Sequence, residues 1–550
     1  MSARRLIPAL LALTAWSPSA LACGGFFCNN TAPVDQSAER IAFAVNSAAG
    51  TVDAHVQIFY QGPSQDFAWV VPIPAEPELF LSTDTLFSQL DAVTRPRFNT
   101  TWQAEGDCGE QYYAESAMDD AVAGGADMDT GSDGGVTVVQ RTQVGPYDAV
   151  VLQATSSSDL IAWLQDHQYD LPASLDAALA PYVAQNQYFL ALRLLKDRDA
   201  GDIAPIGFRY AGGQASIPIQ LTSVAATPDM RLEVYVFGEH RAVPQNYLHV
   251  QIDEAAIDWL GYGANYDQVV TLAADEAGGH AFATDFSGAA SPFQGALWSP
   301  GRYDTSGVAS ATSPQEVMDA LRNQGFPPSA ALLATLESYM APPQGVTAQD
   351  FYNCPSCYDQ SSVVVEYAAL AEALQTNIVA PLEAAEHLFA DHSTVSRLTS
   401  SLSPAEMTVD PIFVQNPDMA AVSNVHDATV YFDCTHGDDW YTATRRLVLP
   451  DGREVLLPSQ ETLGGQGTST ADYMASVTDT HARVIEQTGA SGQPQVVVDN
   501  SAVSDDQVQQ NNDTVGGQRH GLFGCTTTGG GTGALALLLG VLVGLGRRRR

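Results

Sequence analysis

Val52-Asp-Ala-His-Val-Gln-Ile-Phe-Tyr60 alternates apolar and polar side chains with period two, and Phe67-Ala-Trp-Val-Val-Pro-Ile-Pro74 follows it beyond a Gln61-Gly-Pro63 turn. The first stretch predicts a half-buried strand. The second is apolar throughout, which predicts a strand buried on both faces and stopped by Pro72 and Pro74. The chain therefore opens as a β-meander.

Outward from this pair, strands are expected at residues 136–144, 149–154, 188–195, 206–210, 217–221 and 232–237. Helices are expected at 84–94, where Leu86, Phe87 and Leu90 share a face, after Ser157/Ser158, and after Pro172. From Asp253 to about Leu402 the pattern turns helical. Ser313-Pro-Gln-Glu316 reads as a capping box with proline at the first helical position. A helix follows at 329–339, and 363–378 with 382–389 form a pair broken at Pro381. Strands return at 428–433, 446–449 and 454–457, the last two joined by the hairpin turn Pro450-Asp-Gly-Arg453. The expected class is α+β, with a β-rich N-terminal part, a helical middle, a short β return and disulfide support. Leu248-His-Val-Gln-Ile252 echoes Ala54-His-Val-Gln-Ile58, too briefly to establish a repeat.

The two ends read as targeting segments. Arg4 and Arg5, an apolar run from Leu6, and Ala20-Leu-Ala22 make a signal peptide over 1–22, cut after Ala22. Residues 23–485 form the exported body, divisible into lobes 23–252 and 253–485. Residues 486–524, rich in Gly, Gln, Asn and Asp, read as a disordered polar spacer. Beyond them come Gly524-Cys525, a Gly-rich run, the apolar stretch 534–545 and Arg547 to Arg550. As a helix, 529–546 reaches roughly 27 Å, against a hydrocarbon layer of about 30 Å, and it is rich in glycine. That makes it a marginal, cleavable membrane segment.

The formal net charge is -39, with 63 acidic against 24 basic side chains, and six of the basic ones lie in the terminal segments. Such a surface disfavours nucleic acid and anionic lipid headgroups. Of the seven cysteines, Cys525 belongs to the tail. The other six, Cys23, Cys28, Cys108, Cys354, Cys357 and Cys434, suit up to three disulfides in an exported chain. Local pairing suggests Cys23–Cys28 and Cys354–Cys357, leaving Cys108–Cys434, although sequence does not choose among 15 connectivities.

Signals for chemistry are weak. H-E-x-x-H, G-x-S-x-G, P-loop and G-x-G-x-x-G patterns are absent. Asp127, Asp129 and Asp133 have calcium-loop spacing, but Gly131 occupies the fifth position, and a solvated loop is the reading. Cys354-Pro-Ser-Cys357 has redox-pair spacing without a βαβ context, so a structural disulfide is expected. Together with Cys434 and His436 it supplies zinc-type ligands, which an oxidising compartment disfavours. His387 and His392, near Glu383, Glu386 and Asp391, read as a solvated helix face. His55 and His249 read as solvent-facing or hydrogen-bonded strand histidines. No catalytic residue and no cofactor is assigned.

Two resemblances add to this reading. Cys23-Gly-Gly-Phe-Phe-Cys28, Pro33-Val-Asp-Gln36, Glu39-Arg-Ile41, His55-Val-Gln-Ile58 and 67–74 resemble the start of the exported domain-of-unknown-function family 2330. Leu402-Ser-Pro-Ala-Glu-Met-Thr-Val-Asp-Pro411 and Asn416-Pro-Asp418 resemble its C-terminal part. That family carries no established activity. The order Gly-Cys, small polar residues, short apolar helix and Arg cluster resembles the myxobacterial C-terminal sorting tail (MYXO-CTERM). That resemblance implies a sorting protease acting near Cys525 and surface display through the membrane segment or a lipid on Cys525. The expected function is a surface-anchored, non-enzymatic envelope protein that binds an unidentified extracellular ligand. The alternatives are a secreted hydrolase assembled from scattered residues and a metal-dependent binding protein.

Overall fold

Val52, Ala54 and Val56 are buried, as the alternation requires. The computed structural model describes residues 35–61, 68–108, 136–167, 169, 175–194 and 204–520. The expected signal peptide with Ala22, the pair Cys23 and Cys28, Asp127, Asp129, Asp133 and the tail with Cys525 lie outside the described residues. No helix among the described residues is long and apolar enough to cross a membrane.

In chain order the strands are β1 Asp35–Asn46, β2 Thr51–Gln61, β3 Ala68–Ile73, β4 Glu78–Leu81, β5 Arg97–Gly106, β6 Val136–Val144 and β7 Tyr147–Ala154. There follow β8 Tyr188–Leu194, β9 Ile206–Ala211, β10 Ala215–Ser216, β11 Ala226–Gly238, β12 Arg241–Pro244, β13 Leu248–Ile252 and β14 Ala281–Ala289. The last are β15 Thr394–Leu402, β16 Ile412–Asn416, β17 Val425–Cys434, β18 Thr444–Val448, β19 Glu454–Leu457, β20 Ala482–Gln487 and β21 Gln495–Asp499. Among the described residues they form a ten-stranded sheet, β21-β20-β13-β14-β15-β11-β1-β2-β9-β4, and three smaller sheets, β10-β16-β12, β19-β18-β17-β5 and β3-β8-β7-β6.

The fold is α+β and layered. One face of the large sheet, with Ile41, Phe43, Val52 and Val234, packs on Trp69, Val71, Val151 and Leu190 of the β3-β8-β7-β6 sheet. Val70, Val150, Leu152 and Phe189 point the other way, onto the helices Ser157–Asp166 and Leu175–Ala184. This two-sided burial is why 69–73 is apolar throughout. On its opposite face the large sheet presents Ala42, Ala44, Tyr235 and Phe237 to the helices Asp84–Thr94, Pro314–Gln324, Ala330–Tyr339, Tyr367–Leu374 and Ala380–Asp391. Each large apolar side chain buried there contributes about 1.5–3 kcal/mol. Two disulfides, Cys108–Cys434 and Cys354–Cys357, join the expected partners.

Several expectations are corrected. The helical middle also contains β14 and β15, which lie beside each other in the large sheet. β15 escapes a hydropathy reading because Ser396, Arg397, Thr399, Ser400 and Ser401 are buried in it. The serine hydroxyls are satisfied: Ser396 accepts from the Ala242 N–H at 3.0 Å, and Ser400 donates to the Ala281 carbonyl at 2.6 Å. The stretch 217–221 is not a strand; Pro218 leads into the helical turn Ile219–Thr222, whose Gln220 N–H donates to Asp410. Pro381 does not break its helix pair. A π turn at Gln375–Val379 joins the two segments and accommodates the N–H that proline lacks. The capping box forms in half: Ser313 accepts from the Glu316 N–H, while the Glu316 carboxylate takes the Thr312 N–H.

The expected disordered spacer holds β21 and the helix Ser501–His520. Polar side chains do the anchoring there. Asn512 accepts from the Leu456 N–H and donates to the Glu454 carbonyl, Asn511 donates to the Leu456 carbonyl, and Val508 is buried. The suggested boundary at 252/253 falls inside the ten-stranded sheet, where β11 and β15 pair from Met230↔Leu402 to Gly238↔Thr394.

At the middle of this sheet Arg397 has 0% exposure. Its guanidinium forms ion pairs with Asp91 at 2.8 Å, Asp285 at 3.0 Å and Glu233 at 3.4 Å. Glu233 also pairs with Arg40 at 2.9 Å and Arg231 at 2.8 Å. Burial alone would raise the Glu233 pKa, but Arg397, Arg231 and Arg40 overcome it and push it down to about 2. Arg397→Met should cost about 3–5 kcal/mol in urea unfolding, because it strands buried carboxylates. Adding Asp285→Asn to it should recover part of that loss.

Candidate functional site

The parallel ladder between β13 and β14 runs through Leu248↔Ala281, His249↔Phe282 and Val250↔Ala283. Immediately beyond it β14 carries a bulge between Thr284 and Phe286 in its pairing with β15. Bulges re-aim side chains, and consecutive residues Thr284 and Asp285 both line the cleft that opens here. The cleft has a volume of about 520 Å³, within the range of small-molecule sites.

One wall is a continuous hydrogen-bond chain. Glu486 on β20, directly opposite His249 in the ladder, lies 2.8 Å from His249 Nδ1 through Oε1 and accepts from Gln251 Nε2 at 3.2 Å through Oε2. A carboxylate only accepts, so Nδ1 carries a proton, and in the neutral ring Nε2 is then the acceptor. The Thr284 hydroxyl, 3.0 Å from Nε2, is then the donor. Arg241 on β12 donates through Nη2 to Thr284 Oγ1 at 3.3 Å and through Nη1 to the Ala420 carbonyl at 3.1 Å. Its Nε has no hydrogen-bond partner among the described residues. Burial lowers the Arg241 pKa, and Glu486 opposes that shift.

The facing wall holds His426, whose Nδ1 lies 2.8 Å from Glu254 Oε1 and whose ring stacks on Phe98 with centroids 4.9 Å apart. Tyr266 donates to Asp285 at 2.5 Å, and Asp285 in turn holds Arg397. The carboxylates of this cleft thus each have their own partner. The arrangement supplies a guanidinium whose buried Nε has no partner among the described residues, a hydroxyl coupled to an imidazole, and an imidazole backed by a buried phenyl ring.

Of the residues singled out in sequence, His249 belongs to this cleft, and it is hydrogen-bonded as expected. The zinc-type set does not assemble: Cys354 and Cys357 are bonded to each other, Cys434 to Cys108, and the His436 side chain is largely exposed. No group of three or more His, Cys, Asp and Glu able to hold a metal occurs among the described residues. Glu386 is a backbone anchor, accepting N–H bonds from Gly295, Leu297 and Trp298. His387 is exposed, and with Asp391, His392 and His55 it lines a second, more open hollow of about 820 Å³. Sequence reasoning missed Arg241, Thr284, Glu486, Glu254 and His426. They stand on strands and turns far apart in the chain, and no spacing rule links them. The His-Val-Gln-Ile echo places both histidines in the large sheet but in different settings: β2 is antiparallel to both neighbours, whereas β13 is parallel to β14.

A family model described as "Uncharacterized protein conserved in bacteria (DUF2330)" matches residues 17–296, just over half of the chain. No curated protein and no solved structure matches the chain.

His55 gives the second hollow an acid limb. Its ring lies 2.7 Å from Ser82 Oγ, and burial lowers its pKa to about 4, with Asp53 opposing and Arg209 adding to the shift. The unfolded chain protonates His55 near 6.5, so the stability this site contributes is full above that pH and is lost as pH falls toward 4. His55→Gln should therefore flatten stability between pH 6.5 and 4, by up to about 3 kcal/mol in chemical denaturation.

Proposed function

The chain belongs to the DUF2330 family of bacterial proteins, whose description names no activity, and we propose from its own geometry that it is a binding module for a small anionic ligand. The observation that carries this reading is Arg241: a guanidinium that lines the cleft through its contact with Thr284 and whose buried Nε has no hydrogen-bond partner among the described residues, beside carboxylates already engaged by other groups. A charge-assisted bond from such a donor contributes about 1.5–3 kcal/mol. The net charge of -39 repels anions at long range, so capture depends on this local donor and not on steering. Carboxylate and phosphate groups are the chemistries a guanidinium recognises best. The half-buried His426 ring, backed by the buried Phe98, offers an aromatic surface for the remainder of the ligand.

The place of action we propose is the cell envelope, outside the cytoplasm. Two disulfides support export, since such bonds persist in oxidising compartments. The N-terminal Arg4-Arg5, apolar run and Ala20-Leu-Ala22 support a signal peptide. The Gly524-Cys525, apolar and tetra-arginine sequence supports sorting-tail processing and surface anchoring.

Titration calorimetry with inorganic phosphate and with malonate tests the site. Arg241→Met should weaken binding at least tenfold, which corresponds to about 1.4 kcal/mol; unchanged affinity would remove the cleft from the account. For anchoring, Cys525→Ala should abolish surface display and leave the chain at its unprocessed mass, as read by surface labelling and intact mass.

A further inference from the structure

We infer that the cleft also hydrolyses a small carboxylic ester, with the Thr284 hydroxyl as nucleophile. This rests on the cleft being a ligand site and goes beyond capture to chemistry. Nucleophilic catalysis by a hydroxyl needs a base within hydrogen-bond reach, a third group that orients the base, and donors for the oxyanion. Thr284 Oγ1 is 3.0 Å from His249 Nε2, and His249 Nδ1 is 2.8 Å from Glu486 Oε1. Glu486 and His249 are buried, whereas Thr284 is half-buried at the cleft wall. The direction of the chain is fixed from its inner end: the carboxylate sets the tautomer, and the tautomer makes the hydroxyl a donor to Nε2. Arg241 Nη2 donates to Thr284 Oγ1 at 3.3 Å, so its guanidinium adjoins the carbonyl oxygen of an ester bonded to Oγ1, the oxygen that takes the negative charge.

Thr284 Oγ attacks the ester carbonyl carbon while its proton passes to His249 Nε2. The oxyanion is held by Arg241. Collapse breaks the bond to the alcohol oxygen, which leaves with the proton from His249, and the acyl group stays on Thr284 as an ester. Water then attacks the acyl carbon and gives a proton to His249. Collapse releases the carboxylic acid, and Thr284 Oγ regains its proton from His249. The sum is ester plus water giving acid plus alcohol. Thr284 and His249 are catalytic residues in this scheme, and Glu486 is a positioning residue. The Thr284 methyl crowds the attack, so the less hindered Thr284→Ser is expected to be at least as fast.

The test uses the full-length chain with p-nitrophenyl acetate and a fluorophosphonate label. The wild type is expected to turn over the ester and to carry the label on the peptide containing Thr284. Thr284→Val, similar in shape but without the hydroxyl, is expected to lose at least about 100-fold in kcat/KM. Glu486→Gln is expected to lower kcat with KM unchanged, which a purely structural role would not produce. Equal turnover by wild type and Thr284→Val overturns the proposal. Phosphate binding without turnover or label overturns it too, and leaves the binding reading intact. Labelled turnover without phosphate binding sinks the anion reading instead. Where Thr284→Val loses both functions, Thr284→Ser decides: label at position 284 supports the nucleophile, and its absence rejects it.

Discussion

A guanidinium without access to water holds the centre of this molecule. Arg397 is surrounded by carboxylates from three elements: helix Asp84–Thr94, β11 and β14. Removing ions from water costs several kcal/mol each, and the cost is offset only where the geometry of partners is good. The constraint therefore reaches outward to every element that supplies a partner. β11 and β15 are tied in register at Tyr235↔Arg397. A slip of one residue would turn Arg397 onto the face occupied by Leu398 and Leu402, into an apolar layer and away from Asp91, Glu233 and Asp285. The ionic cluster thus selects one register in a sheet whose buried hydroxyl-rich strand would otherwise specify it weakly.

The same cluster fixes the cleft. Asp285 touches Arg397, accepts from Tyr266 and Thr399, and lines the cavity beside Thr284. The wall of the cleft is thereby braced by a group that cannot move without exposing a buried charge. Arg241, His249 and Glu486 come from three further strands, so the site is built on sheet backbone and not on long loops. Rigid support of this kind is what precise hydrogen-bond geometry requires.

How far the sequence could be read depended on whether burial followed hydropathy. Where it did, the strands and helices were legible: the alternation at 52–60, the helix at 84–94 and the hairpin at 450–453 stand as expected, and the apolar run forms a strand at 68–73, although that strand continues through Pro72 and joins β8 in a separate sheet where a meander from β2 was expected. β15 was hidden because its buried positions carry serine, threonine and arginine. Residues 495–520 were hidden because asparagine side chains bonding to backbone replace an apolar face. For the cleft, His249 was visible as a strand histidine, but its relation to Thr284 and Glu486 was not. Those partners are 35 and 237 residues away in the chain and meet only through strand pairing.

β15 also has a consequence in time. It sits between β14 and β11, so the large sheet cannot close until residue 402 has been made, more than 150 residues after β11 ends. β5 likewise waits for β17, its parallel partner beyond residue 424. Residues 17–296 thus contain the family-matched stretch but lack the strand that joins its two sets of strands. Contacts this distant in sequence slow folding, because loop closure precedes any reward from pairing. The N-terminal half therefore carries open sheet edges that are paired only once the C-terminal third is present.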